Sequence, residues 1–132
     1  MFIGLDKDPF NNNSGDDYYY HIDYSIHLNQ TNVYAHEINV NSANPYKSSQ
    51  KINYGTYKVG DILEMIYEGT TVKYYQNGTL FYTSTNVPTN ETFYLDSVYY
   101  FQHNQQIEIL EFSENNENNK FTLINENNSL TT

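Results

Sequence analysis

Three stretches put hydrogen-bonding side chains beside tyrosines. They are NNNSGDDYYY (Asn11 to Tyr20), NPYKSSQ (Asn44 to Gln50), and Tyr99-Tyr100 with Gln102 and Asn104. Sugars present apolar C–H faces ringed by hydroxyls. Aromatic rings pack on those faces, while Asn, Asp and Gln hydrogen-bond the hydroxyls. These residue types therefore point to saccharide recognition. The ligand-binding candidates are Asp16, Asp17, Tyr18, Tyr19, Tyr20, Tyr46, Tyr99 and Tyr100. Packing competes with binding for the same tyrosines, since strand alternation must bury part of every Tyr pair.

Other chemistries are harder to assemble. His21, Asp23 and His27 alternate on one strand face, with Asp16 and Asp17 upstream, and His and carboxylate can bind Zn or Ca. Asp6, Asp8 and the Asn run could supply oxygen ligands for Ca. The spacing matches no compact loop motif, so a polar strand face beside a hydrated loop is the favoured reading, with no cofactor and Ca as the one alternative. His36 and His103 read as surface or edge residues. Glycoside hydrolysis needs two carboxyls about 5 to 10 Å apart. Glu108 and Glu111 are an odd offset apart, on opposite strand faces, and Glu64 and Glu68 fit a solvated face. No nucleophile-elbow pattern is present. No catalytic residue is assigned.

Composition narrows the classes further. The 132 residues suffice for one domain, and 15 Tyr and 7 Phe supply a core without Trp. A net charge of −10, with no Arg and six Lys, opposes nucleic acid and anionic membrane surfaces. No apolar run approaches the roughly 20 residues of a membrane span. MFIGLDKD lacks the basic and apolar regions of a signal peptide. Without Cys there are no disulfides, thiolate metal sites or Cys catalysis. Sequons at Asn12, Asn29, Asn77, Asn90 and Asn127 are what chance gives in so Asn-rich a chain.

These candidates need elements to hold them, and the patterning predicts strands throughout. Met1 to Leu5 reads as a short strand, followed by a polar loop broken by Pro9 and Gly15. HIDYSIHL puts Ile22, Tyr24, Ile26 and Leu28 on one face of a half-buried strand. VYAHEINV, DILEMIYEG, FYLDSVYYF and QIEILEF predict further strands, while NSANPYKSSQKINYG reads as loop. After Ser113, ENNENNK cannot bury enough apolar surface to order itself, although Phe121 to Ile124 could add a late strand. The expected layout is a sandwich domain over 1–112 and an Asn-rich tail over 113–132. Seven or eight short strands with polar turns and no helical period predict an all-β antiparallel sandwich or barrel.

The sharpest local signal is KYYQNGTLFYTS. Asn77-Gly78 suits a two-residue type I′ turn, which needs positive φ at both positions. That turn sets Gln76 opposite Thr79, Tyr75 opposite Leu80, Tyr74 opposite Phe81 and Val72 opposite Thr83. Val72, Tyr74 and Phe81 are expected to face inward, leaving Tyr75 and Tyr82 for an outer surface.

Residues Tyr57 to Ser84 resemble a segment of concanavalin A-like sandwich domains of the lectin-like and SPRY-like kind. A Gly-Asp pair (Gly60-Asp61) opens a strand, a Gly turn follows at Gly69, and an aromatic hairpin closes on Asn77-Gly78. MFIGLD is similar to the family's Gly-Leu strand, HIDYSIHL to the next strand, and FYLDSVYY and IEILEF to the closing strands, so the likeness spans roughly residues 2 to 112. The resemblance implies a jelly-roll sandwich that binds glycans, receptors or other proteins without catalysis. Such modules occur in phage tail fibres, receptor-binding proteins and bacterial surface proteins, which implies a virion or extracellular location. Family members have strands before the Gly-Leu strand, and this chain starts there. The expectation is that a homo-oligomer or a neighbouring chain completes the sheet, with substitution by the tail strand Phe121 to Ile124, or a longer product of which this sequence is a fragment, as the alternatives. The competing class is a structural or protein-interaction subunit with no small ligand.

Overall fold

The computed structural model describes residues 1–7, 22–29, 31–38, 50–85, 87, 91–98, 105–114 and 119–127. For 50, 51, 98, 105–114 and 119–127 it describes the backbone alone. The described residues are all-β, with ten strands in two antiparallel sheets. In chain order they are β1 (Phe2–Asp6), β2 (Tyr24–Asn29), β3 (Asn32–Glu37), β4 (Gln50–Thr56) and β5 (Ile62–Tyr67), followed by β6 (Val72–Gln76), β7 (Thr79–Ser84), β8 (Tyr94–Val98), β9 (Gln105–Glu114) and β10 (Asn119–Asn127). The first sheet runs β4-β3-β2-β1-β8 and the second β7-β6-β5-β10-β9. They belong to two compact units, Met1–Gly55 with Glu91–Phe101, and Thr56–Asn90 with Gln102–Thr132.

In the first unit, β1 is an inner strand. Ile3 opposes Ile26 on one side and Ser97 on the other. The Gly-Leu strand thus has both neighbours, and the edges of this sheet are β4 and β8. Gly4 is required by close approach. A Cβ there would lie 1.9 Å from the Tyr24 carbonyl oxygen and 2.6 Å from the Ser25 Cα. The Met1 amino group donates to the Leu28 carbonyl at 2.8 Å, and the Leu28 amide returns a bond to the Met1 carbonyl at 2.8 Å.

The expected apolar face of β2 is present: Ile22, Tyr24, Ile26 and Leu28 are all buried. The opposite face is not the solvated one that alternation suggests. Asp23, Ser25 and His27 are buried too, and so is His36, on inner strand β3, which the sequence assigned to the surface or an edge. The cause is aromatic packing on an inner strand. His27 stacks on Phe2 with ring centroids 3.9 Å apart and lies against Tyr34 at 5.4 Å. His36 meets the Phe2 edge at 5.2 Å, and its Nδ1 lies 3.4 Å from the Ser25 hydroxyl. An imidazole has apolar ring faces as well as polar nitrogens, and hydropathy patterning counts only the latter.

In the second unit, alternation holds on β5 and β6. Leu63, Met65, Tyr67, Val72 and Tyr74 are buried, while Glu64, Ile66, Lys73 and Tyr75 are half-buried. Each fully buried side chain of this size contributes roughly 1.5–3 kcal/mol before conformational costs. Asn77 and Gly78 adopt φ of 51° and 80°, as a type I′ turn requires. Gln76 opposes Thr79 and Tyr75 opposes Leu80, as the turn dictates. Then a bulge intervenes, so that Tyr82, not Phe81, opposes Tyr74, and Ser84, not Thr83, opposes Val72. A bulge sets two residues against one and adds local twist. Phe81 ends half-buried, with its ring 6.0 Å from Tyr74, and Tyr82 packs edge-on at 5.4 Å.

The Gly-Asp and Asn-Gly pairs are joined through space. The Lys58–Asp61 turn closes with the Asp61 amide on the Lys58 carbonyl at 3.1 Å, and Gly60 takes φ of 93° there. The buried Asp61 carboxylate accepts from the Lys58 amide at 2.8 Å, Gln76 Nε2 at 3.0 Å and Asn77 Nδ2 at 2.9 Å. Asn77 Oδ1 in turn accepts from the Ile62 amide at 2.9 Å. Burial pushes the Asp61 carboxyl upward, but the bonds from Asn77, Lys58 and Gln76 together outweigh it and hold it below 3.8.

Two elements differ from the sequence reading. Gln50–Thr56 is a strand, not loop, and the tail strand runs for nine residues, Asn119–Asn127, between β5 and β9. An inner position explains the second: pairing on both sides satisfies the backbone of a stretch whose side chains carry little hydrophobic signal.

Candidate functional site

All eight ligand-binding candidates (Asp16, Asp17, Tyr18, Tyr19, Tyr20, Tyr46, Tyr99 and Tyr100) lie outside the described residues, as do His21, Asp8 and His103. The described strands do fix where their connections begin and end. In the register of the first sheet, Leu5 opposes Tyr24, Asp6 opposes Tyr94, and Tyr24 opposes Glu37. The end of β1, the start of β2, the end of β3 and the start of β8 therefore share one end of the sheet. Antiparallel β4 starts there as well, at Gln50. The β1–β2 connection carries residues 16–20 and the β3–β4 connection carries Tyr46, so both are anchored at this end. Val98 opposes Phe2 at the other end, and there the chain leaves toward Tyr99 and Tyr100.

The described residues at the first end form a polar rim with one aromatic ring. Lys7, Glu91 and Thr92 are exposed, and Tyr94 is 45% exposed. Phe93 beside it is fully buried, with its ring 5.8 Å from that of Tyr24. Tyr94 escaped the sequence reading. Its signal was available in the alternation of FYLDSV, where a buried Phe93 requires its neighbour to face away. The base of this end is tied by Asp23, whose carboxylate accepts from the Lys7 amide at 2.8 Å and whose carbonyl accepts from the Ile38 amide at 3.0 Å. Asp23 thus acts as a clasp for the strand ends.

The odd offset does not put Glu108 and Glu111 on opposite faces: a bulge in β9 sets Glu111 opposite Thr122 and Glu108 opposite Ile124, two register positions on one face of the sheet. Among the described residues, no group of three or more His, Cys, Asp or Glu could hold a metal ion. Glu68 pairs with Lys73 at 2.9 Å, both partly exposed, and this bond with the Glu68 charge raises the Lys73 pKa above 10.5. Glu64 lies half-buried on β5, opposite Tyr75. No helix among the described residues is long and apolar enough to cross a membrane. No family model matches the chain, and neither a curated protein nor a solved structure is significantly similar to it.

Proposed function

We propose that this protein is a non-enzymatic recognition module that binds a saccharide or a glycosylated receptor. The observation that carries the proposal is the shared anchoring of the two Tyr- and Asn-rich connections at one end of a five-stranded sheet. A rigid sheet presenting several loops at one end is a common scaffold for binding. The exposed ring of Tyr94 at that end adds a described aromatic surface. Asp16, Asp17, Tyr18, Tyr19, Tyr20 and Tyr46 are the residues assigned to ligand contact, with Tyr stacking on sugar faces and the carboxylates accepting hydroxyl protons. Tyr99 and Tyr100 follow Val98, which lies at the opposite end of the sheet, and are the candidates for contact there.

The all-β, antiparallel architecture supports the coarser reading, and the concanavalin A-like, jelly-roll sandwich is what the resemblance of Tyr57 to Ser84 implies. That reading supports a place on a virion, a tail fibre or a cell surface, without catalysis and without a required cofactor. A screen of the whole chain on a broad glycan array, with and without Ca, tests the function. Dose-dependent binding to one saccharide class is the expected result, unchanged by chelation. A blank from folded protein would move the assignment to an architectural subunit.

A further inference from the structure

We propose that Asn77-Gly78 is a self-modification site held shut by the Asp61 clasp, and that deamidation of Asn77 opens that clasp irreversibly. Asn77-Gly78 is the one Asn-Gly pair in the chain. The chemistry needs only water. The Gly78 backbone nitrogen loses its proton and attacks the Asn77 side-chain carbonyl carbon. A new C–N bond closes a cyclic succinimide, the bond from that carbon to Nδ2 breaks, and Nδ2 takes up a proton and leaves as ammonia. Water then opens the ring at either carbonyl, giving Asp or, with the main chain rerouted through Cβ, isoaspartate. One water enters and one ammonia leaves. Gly suits the step because no side chain shields its nitrogen. Both turn residues are exposed, and a Cβ built on Gly78 would meet nothing within 4 Å, so water reaches the turn.

Two features of the fold oppose the attack. Both ends of the Asn77 amide are engaged: Oδ1 accepts from the Ile62 amide at 2.9 Å, and Nδ2 donates to Asp61 Oδ1 at 2.9 Å. The Asn77 backbone amide is fixed as well, donating to the Ile62 carbonyl at 2.8 Å. Closing the ring turns the side-chain amide out of its place, so both side-chain bonds must break first. The Asp61 carboxylate, ionised at neutral pH, also opposes negative charge on the Gly78 nitrogen and on the tetrahedral carbon that follows. Conversion therefore runs through local opening, at a rate set by the opening equilibrium and the reactivity of the open turn. The product cannot close the clasp again. A carboxylate oxygen stands where Nδ2 donated, so two anions face each other across the former 2.9 Å bond. Lys58 supplies one positive charge for the two. Isoaspartate also lengthens a two-residue turn that closes only with φ of 51° and 80°.

Peptide mapping by mass spectrometry on the full chain, incubated at neutral pH, measures conversion at each Asn. In the urea-unfolded chain Asn77 should convert faster than every other Asn. In the folded chain its rate should fall at least about tenfold. Asp61→Ala removes the acceptor for Nδ2 and should raise the folded rate at least about tenfold. Lys73→Gln breaks the Glu68 pair on the same hairpin, leaves the clasp intact, and should keep the wild-type rate within about twofold. Urea below the unfolding transition tests the same gate without a variant: conversion of Asn77 and hydrogen exchange of the Ile62 amide should rise in parallel. Asn77→Asp makes the product directly, and its Ile62 amide should exchange at least about tenfold faster than in wild type. Equal rates in folded and unfolded chains, conversion that does not follow Ile62 exchange, a folded Asp61→Ala with the wild-type rate, acceleration by Lys73→Gln, or wild-type exchange in Asn77→Asp would each overturn the proposal.

Discussion

Replacing Asp61 by Asn keeps the side-chain shape and removes the charge that gathers the Lys58 turn and the Asn77 turn. The carboxylate accepts three hydrogen bonds, from the Lys58 amide, Gln76 Nε2 and Asn77 Nδ2, at 2.8, 3.0 and 2.9 Å. An amide at this position must aim its own NH2 at one of those donors. At least one bond is lost outright, and the others lose their charge assistance. A hydrogen bond to a charged group contributes about 1.5–3 kcal/mol, against about 1 for a neutral one. The expected loss is therefore about 2–3 kcal/mol at pH 7. Urea unfolding followed by tyrosine fluorescence measures it. The pH dependence provides a second check. The folded-state pKa is lowered from 3.8, so the carboxylate's contribution is fully present above that value and fades as pH falls through the folded pKa. The stability gap between wild type and Asp61→Asn should hold steady above about pH 5 and narrow below about pH 4. A gap under about 0.5 kcal/mol at pH 7, or one that stays constant down to pH 2, would refute the reasoning.

Other consequences follow from the same geometry. Asn77→Ala removes the bonds to Asp61 and to the Ile62 amide and puts Ala at φ 51°; a loss of about 2 kcal/mol is expected, with a coupling above about 1 kcal/mol to Asp61→Asn in a double-mutant cycle. Gly4→Ala should cost more than about 3 kcal/mol or prevent folding, because its Cβ would press into β2; thermal melts by far-UV CD decide this. Gly78→Ala has open space around it but φ of 80°, so it should cost only about 1 kcal/mol by the same melts.

The legible parts of this fold were those where local chemistry decides. The Asn77-Gly78 turn needs positive φ, few residues supply it, and the first two pairs of the hairpin follow from it. The bulge at Phe81 was not legible, because Leu80, Phe81 and Tyr82 are all good strand residues and none marks an insertion. The apolar face of β2 was read correctly, whereas the burial of His27 and His36 depends on where Phe2 packs, a contact distant in sequence. The strand Gln50–Thr56 was hidden by its Asn, Lys and Gly content, and β10 by its Asn-rich surroundings. The composition of the candidate loops was visible from the outset. That the β1–β2 and β3–β4 connections start from one end of the first sheet required the strand register, because chain order alone does not say that β1, β2, β3 and β4 lie side by side.

The central claim is that one end of the first sheet carries the binding surface. Isothermal titration of the saccharide selected on the array, against wild type, Tyr19→Ala, Tyr46→Ala and Tyr99→Ala, tests it most directly. Tyr19→Ala and Tyr46→Ala should each weaken binding at least about tenfold, as the loss of a stacking ring predicts, with unchanged melts, and Tyr99→Ala should bind as wild type does. Loss of binding in Tyr99→Ala with full binding in the other two would contradict it.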